Sequence, residues 1–469
     1  MRSTVGSDDD LVVLGIETSC DDTAAAVVRS NGEILSQVVS SQADLLVQYG
    51  GVAPKMAEEA HSKVIDQVVQ EALDKANLSE SDLSAVAVTI GPGLSLCLRV
   101  GVQKARKLAG TYALPIVGVH HMEAHALVAR CINLGGIVQG VNVINRLVQG
   151  ELQFPFLVLL ISGGHNLLIL ARDLGNYVQL GTTIDDAIGE AYDKTAKWLG
   201  LDLRKSGGPA VEDLAREGDA NSIKFKVPMK QHKDCNFSYA GLKTQVRLAV
   251  ESGSINPEIP VSSASSEDRK ERANIAASFQ RVAVLHLEEK CERAIEWASK
   301  IEPSIKHLVV SGGVASNQYV RARLNQIVEK NCLQLVCPPP KLCTDNGEMV
   351  LFHVCHVVCN EVAETSPLLS LDTFMWHKAV GKSHSNLFFG NLVGKCVMVA
   401  WTGIEHFRMG RFDPPPPTNE PEDAVLDLRP RWPLGEEYTE GRSEARSIRR
   451  ARIHPSLTSL IQASMQQQS

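Results

Sequence analysis

Three apolar runs in this chain end in small or hydroxylated residues: Gly15-Ile16-Glu17-Thr18-Ser19, Ser162-Gly163-Gly164-His165 and Ser311-Gly312-Gly313-Val314. Such turns let backbone N–H groups approach a phosphate, because glycine carries no side chain and tolerates unusual dihedrals. Each one alone also fits a plain tight turn. A second kind of chemistry is offered by His121-Met122-Glu123-Ala124-His125. On a helix, His121 and His125 stand at i and i+4 on one face, close enough for one cation. Two polar histidines at a helix start are the plain alternative. The glutamate sits between the histidines rather than directly after the first, which argues against a zinc-peptidase motif. A third ligand must come from elsewhere, and Asp345 in Cys343-Thr344-Asp345-Asn346-Gly347 follows a strand. Asp-Asn-Gly also reads as an ordinary turn. Asp21, Asp22, Asp185, Asp186, Glu190 and Asp193 are further acids, for which capping of the following helix by Asp185 and a solvated face at Glu190 are the bland readings.

These residues need elements to place them. Leu11–Ile16 reads as a buried strand, and Ala24–Arg29 with Ile34–Ser40 reads as a hairpin about Asn31-Gly32. A helix over Met56–Ala76, a strand at Ala85–Ile90, a helix over Leu94–Ala113 and a strand at Ile116–Val119 follow, with a further helix from His121. A similar order restarts with strands at Phe156–Ile161, Asn166–Ala171 and Tyr177–Gly181. Helices near Asp185–Leu199 and Ala273–Lys300, a strand at His307–Ser311, a helix at Asn317–Asn331 and a strand at Gln334–Val336 complete it. The expected fold class is therefore α/β, with two similar lobes of mixed sheet plus helices.

Composition sets the outer bounds. The chain has 469 residues, 44% hydrophobic and 22% charged, with a formal net charge of −7. Those fractions exclude a wholly disordered, collagenous or coiled-coil chain. The charge argues against a uniformly basic nucleic-acid binder but leaves room for a local basic patch. No apolar run approaches the ~20 residues of a membrane-spanning helix, so a soluble protein with no membrane association is expected. Eleven cysteines without a CxxC pair point to a reducing compartment. Beyond Pro414–Pro417, Arg442, Arg446, Arg449, Arg450 and Arg452 form a basic cluster, either a plain soluble tail or, if it folds beside the active cleft, a contact for RNA phosphates.

In combination the motifs become specific. Leu14–Thr23, His121–His125, Ser162–His165, Asp193-Lys194-Thr195-Ala196-Lys197, Phe237-Ser238-Tyr239-Ala240-Gly241-Leu242-Lys243-Thr244, Ser311–Asn317 and Cys343–Gly347 closely resemble, in order, the tRNA N6-adenosine threonylcarbamoyltransferase family, once called O-sialoglycoprotein endopeptidases, and its organellar eukaryotic branch in particular. The resemblance implies lobes like those of actin, Hsp70 and sugar kinases (the ASKHA fold), with a cleft between them. It implies one divalent metal ion per subunit, iron or zinc, held by His121, His125 and Asp345. It also implies nucleotide or intermediate contacts from Ser162, Gly163, Gly164, His165, Asn166, Asp193, Gly208 and Asn317. The implied reaction moves an L-threonylcarbamoyl group from threonylcarbamoyl-AMP to N6 of the adenosine just 3′ of the anticodon, in tRNAs that read codons beginning with A. Glu17 and Asp21 are the candidate proton acceptors. The implied partners are the tRNA anticodon loop, a separate synthase that makes the intermediate and a second copy in a homodimer. The implied setting is the mitochondrion, with the plastid as alternative. Competing readings are a small-molecule kinase or a nucleotide-gated chaperone-like module on the same fold, and a metallopeptidase.

Residues 11–131 then form the first lobe, 146–347 the second lobe, and 397–455 a C-terminal segment that completes the fold and ends in the basic tail. Two stretches depart from the family: 132–145 and, directly after the Asp345 motif, 348–396. The second contains His353, Cys355, His356, Cys359 and His377, whose spacing matches no recognised metal site. A retained intron or gene-model error is the expected origin, an unusual and inactive splice form the alternative. Transcripts should join the codons of Gly347 and Val397 directly; peptides spanning Glu348–Cys396 in purified native protein would overturn this reading.

Overall fold

The computed structural model describes residues 11–42, 53–133, 152–202, 207–253, 255–338, 395–421 and 426–439. The first sheet grows outward from β1 (Val12–Glu17), all of whose residues are buried. A continuous apolar strand of this kind needs cover on both faces. β2 (Asp22–Arg29) and β3 (Ile34–Ser41) form the expected hairpin, with Gly32 at φ 86° in its turn. After α1 (Pro54–Ala76) come β4 (Ala85–Gly91), α2 (Ser95–Tyr112) and β5 (Ile116–His120). The strand order is β3-β2-β1-β4-β5, with β1 antiparallel to β2 and parallel to β4.

The second lobe repeats this plan. β6 (Phe156–Ile161), β7 (Asn166–Asp173) and β8 (Asn176–Thr182) form an antiparallel meander, and β9 (His307–Ser311) and β10 (Gln334–Val336) add in parallel beyond β6. The order β8-β7-β6-β9-β10 is that of the first sheet, extended by the two-residue β11 (Glu436–Glu437) beside β8. The α/β duplication read from the order of elements is thus present strand for strand.

Among the described residues, α1 and α2 are joined by α3 (His121–Asn133) and α9 (Lys395–Arg408), and five further helices lie in the second lobe. These are α4 (Ile188–Trp198), α5 (Gly207–Ala215), α6 (Ala240–Ser252), α7 (Ser266–Ile301) and α8 (Gln318–Lys330). Helices α1 and α2 cover one face of the first sheet. Helices α4 to α8 cover one face of the second. The two remaining sheet faces share a single core, filled by α3 and α9. Gly15 of β1 and Gly403 of α9 allow this layer to close: a Cβ at Gly15 would collide with the Cys396 carbonyl and the Ala400 nitrogen, and one at Gly403 with Ala87.

Several boundaries differ from expectation for physical reasons. α7 starts seven positions before Ala273, because its polar first turns are capped by the Ser265 hydroxyl, which accepts from the Asp268 N–H at 3.2 Å. α4 starts at Ile188, since Asp185 caps a different helix. α5 and α6 had no separate expectation. Lys395 and Cys396, assigned from sequence to the second insertion, are the opening residues of α9, and Ile132 and Asn133 close α3. Asp345, the rest of both insertions and the Arg442–Arg452 cluster lie outside the described residues. The described cysteines are free thiols, and no described helix is long and apolar enough to cross a membrane.

Replacing Gly15 with alanine should lower stability by roughly 1–3 kcal/mol through overpacking against α9, seen as a lower urea midpoint with an unchanged m-value.

Candidate active site

The candidate residues of the first lobe converge at the carboxyl ends of its strands, where open α/β sheets place ligands. Glu17 closes β1 and is 1% exposed. Its carboxylate accepts from the Thr89 hydroxyl of β4 at 2.7 Å and from the Ser19 N–H, and lies 3.0 Å from Nδ1 of His121. Burial raises the carboxyl, but His121, Ser19 and Thr89 outweigh it and hold Glu17 well below the usual carboxylate range. With Nδ1 turned to Glu17, His121 presents Nε2 away from it, the arrangement that carboxylates impose on metal-binding histidines. His125 lies one turn on, its ring edge-on to that of His121 with centroids 4.8 Å apart. The pair fits the cation expected from its spacing. Among the described residues, no group of three or more His, Cys, Asp or Glu completes a site.

Glu123, central in the same motif, faces elsewhere. It accepts from the Tyr177 hydroxyl at 2.7 Å and the Gly175 N–H at 3.2 Å, and meets His406 Nε2 at 2.9 Å. It therefore ties α3 to α9 and to the β7–β8 turn of the second lobe. This position explains a carboxylate between two histidines without a peptidase role.

The loop after β1 is held from α1. His61 is buried, with Nδ1 2.7 Å from the Thr23 hydroxyl and Nε2 3.2 Å from the Cys20 carbonyl. Asp21, on that loop, pairs with Nζ of Lys395 at 3.2 Å, and Asp22 with the same ammonium at 3.7 Å. Sequence reasoning missed Lys395 because it placed that residue in the insertion.

In the second lobe, Ser162 and His165 close the β6–β7 turn: the His165 N–H donates to Ser162 Oγ at 3.1 Å and the Ser162 N–H to the His165 carbonyl at 2.9 Å. Cβ atoms added at Gly163, Gly164, Gly208 or Gly313 would meet nothing within 4 Å, so the backbone there is open to a ligand. Gly312 differs: its φ of 99° and its contact with the Ile161 carbonyl both demand glycine. Asn166 accepts from the Ile188 N–H at 3.2 Å and so caps α4. Asn317 caps α8 through Val320 at 2.9 Å and donates to Gln280 at 3.1 Å. Asp193 accepts from the Gly207 N–H at 3.0 Å, and burial pushes its carboxyl up. Asp185 accepts from Ser238 Oγ at 2.5 Å and from the Tyr239 N–H at 3.0 Å, capping α6 rather than the helix it precedes. Glu190 is no simple solvated face either, since it shares Lys243 with Asp186 at 3.0 and 2.8 Å.

A cavity of about 340 Å³ lies beside Asn317, lined among others by Glu212, Arg216, Gln280, Gln318 and Tyr319. Glu212 accepts from the Gln318 N–H at 2.9 Å, and burial raises its carboxyl. None of these was singled out from sequence; Gln280 and Glu212 sit within long helical patterns that carry no local signal of function.

His286 of α7 lies under the α6 motif, edge-on to Phe237 and Tyr239, and accepts from the Ser238 N–H at 3.3 Å. Burial, then repulsion from Lys290, push it down to about 3. The folded state therefore holds a neutral ring, while the unfolded chain takes up a proton below about 6.5. Stability from this group is complete above that value and is lost as pH falls toward 3. His286→Phe should flatten the stability–pH curve between those values, measured by urea unfolding at stepped pH, while lowering stability overall by roughly 1–3 kcal/mol through the orphaned Ser238 donor.

The family described as tRNA N6-adenosine threonylcarbamoyltransferase matches residues 33–352. A relative from Arabidopsis thaliana, named as a mitochondrial member of that family, is 69% identical over 463 residues, covering 98% of this chain and 83% of the relative. A mitochondrial tRNA N6-adenosine threonylcarbamoyltransferase of Xenopus tropicalis is 41% identical over 350 residues, covering 73% of this chain and 81% of the relative. Among solved structures, T. kodakarensis HypF aligns with a TM-score of 0.43 at 14% identity, over 75% of this chain and 48% of that one. The match of residues 33–352 to the family and the 69% identity to the Arabidopsis relative over 98% of this chain make it a member of the tRNA N6-adenosine threonylcarbamoyltransferase family.

Proposed function

We propose that this chain transfers the L-threonylcarbamoyl group of threonylcarbamoyl-AMP, made by a separate synthase, to N6 of the adenosine just 3′ of the anticodon in tRNAs that read codons beginning with A, releasing AMP, and that it works as a mitochondrial homodimer. The observation that carries the site assignment is the Glu17–His121–His125 arrangement, a buried carboxylate orienting the first of two histidines on one helix face. His121 and His125 would hold a divalent ion, iron or zinc, with Asp345 as the third ligand. When bound, such an ion supplies Lewis-acid polarisation of a carbonyl.

The chain's own residues do the rest. Open backbone at Gly163, Gly164 and Gly313 suits the AMP phosphate, since the glycines leave N–H groups accessible. The cavity beside Asn317 suits the adenosine of the intermediate, with Glu212 and Gln280 as its polar groups. Asn166, Asn317 and Asp193 serve by shaping these surfaces, because an oxygen of each caps α4, caps α8 or holds the start of α5. In the transfer, the adenine amine forms a bond to the carbamoyl carbon, the bond from that carbon to the AMP oxygen breaks, and N6 gives up a proton. Glu17 is engaged and strongly acidic, which suits positioning of His121; Asp21, held by Lys395, is the remaining candidate proton acceptor. Much of the acceleration comes from holding two large reactants in register.

The test is direct. The chain is incubated with tRNA, threonine, bicarbonate, ATP and a synthase, and the nucleosides are analysed. Threonylcarbamoyladenosine should form; its absence both for the full chain and for a form lacking residues 348–394, which keeps the start of α9 intact, overturns the reading. A His121→Ala, His125→Ala double variant should lose bound metal, and Glu17→Gln should weaken it about 10–100-fold, as loss of an orienting partner does. Unchanged metal stoichiometry in the double variant overturns the ligand assignment.

A further inference from the structure

Between α5 and α6 the chain runs through Ile223-Lys224-Phe225-Lys226-Val227-Pro228-Met229-Lys230-Gln231-His232-Lys233 without an aspartate or glutamate. In a chain of net charge −7 this is a local inversion of sign. Lys224, Lys226, Lys230 and Lys233 are all exposed, and none forms an ion pair with a described residue. Phe225 is buried in the second-lobe core between the exposed Lys224 and Lys226. In extended backbone, alternate side chains share a face, so these two ammonium groups point outward together.

The segment is anchored from beneath. Gln245 of α6 clamps Lys226 both ways, accepting from its N–H at 2.7 Å and donating to its carbonyl at 3.2 Å. The His232 and Asp234 carbonyls turn inward and accept from Nζ of the buried Lys290 at 3.2 and 3.0 Å. Arg293 also donates to the Asp234 carbonyl, at 2.7 Å. Inward-facing carbonyls thus meet two cations of α7, while the exposed lysines on the same segment stay free for another anion. Its far end is stitched to the active side of the sheet. The Phe237 N–H donates to the Thr182 carbonyl at 2.9 Å, and the Thr182 N–H to Asn236 Oδ1 at 3.0 Å. Thr183 accepts from the Asn166 N–H at 2.8 Å, next to the glycine turn of the candidate site.

We propose that Lys224, Lys226, Lys230 and Lys233 form a strip that binds backbone phosphates of the RNA substrate beside the second-lobe turn. Lysine is a point charge without the planar fork that reads bases, so the strip positions the RNA without selecting its sequence. The inference rests on tRNA being the substrate, and it does not involve the arginines of the C-terminal tail.

The test compares the full chain with a Lys224→Gln, Lys226→Gln, Lys230→Gln, Lys233→Gln variant and with the corresponding all-arginine variant. Binding of unmodified tRNA transcript is followed by fluorescence anisotropy across a salt series. Each phosphate contact contributes about 0.7–0.9 to the slope of log affinity against log salt, so the glutamine variant should lose roughly 3 from that slope. It should lose it equally for tRNAs of different anticodon and keep its thermal midpoint, while the arginine variant retains the slope. In the transfer assay the glutamine variant should show a raised KM for tRNA at similar kcat. An unchanged slope and KM overturn the proposal, as does lysine-dependent binding to phosphatidylserine vesicles accompanied by an unchanged RNA slope. A wild-type chain that binds tRNA through these lysines while neither it nor the form lacking residues 348–394 makes threonylcarbamoyladenosine supports the strip and overturns the transfer reading instead.

Discussion

The constraint on which most of this structure depends is the core shared by the two sheets. Each sheet has an apolar inner face, and α3 and α9 are the helices that fill the space between them. Apolar strands buried on both sides cannot be left half covered at a cost of about 25 cal/mol per Å². One filling helix carries His121 and His125 on its first turns, so the position of the histidines is set by packing before any ligand is considered. The other carries Lys395 at its start, which brings an ammonium to Asp21 and Asp22. Site geometry and core packing are therefore the same problem in the first lobe.

Sequence patterning revealed most of the scaffold because its signals are local. The run Leu11–Ile16, the Asn31-Gly32 turn and the alternation of helix and strand through Val119 each carry their own periodicity or turn chemistry, and the strands formed where they were expected. The histidine pair was legible for the same reason. Polar partnerships across the chain were not. Glu17 and His121 stand 104 residues apart, and Asp185 reaches 54 residues forward to Tyr239. A carboxylate before a helix looks like that helix's cap whichever helix it serves. The early turns of α7 were invisible because they are wholly polar, and an all-polar stretch has no apolar stripe to declare a period.

The second lobe shows how a site can be built largely from groups with structural occupations. Asn166, Asn317 and Asp193 all fall on motifs associated with ligand contact, and each commits an oxygen to holding a helix start, while Asn166 Nδ2 is buried without a hydrogen-bond partner among the described residues. What they leave available is backbone and space: glycines with nothing above them, and helix N-termini, whose partial positive charge favours an anion. Such a surface accepts a phosphate without a dedicated cationic side chain. This division of labour contrasts with the first lobe, where side chains of Glu17, His121 and His125 converge directly.

The tie made by Glu123 also lies near one half of the site and far from the other. It joins α3 to the β7–β8 turn, at the opposite end of β7 from Asn166. A strand of that length spans about 25 Å. Rotation of the second sheet by about 5° around Glu123 would barely shift the two histidines beside it, yet over that lever of about 25 Å it would carry the Ser162–Asn166 turn through roughly 2 Å. The contact thus lies close to the histidines and about a strand's length from the glycine turn, so a rotation about it would change the distance between these two parts of the site.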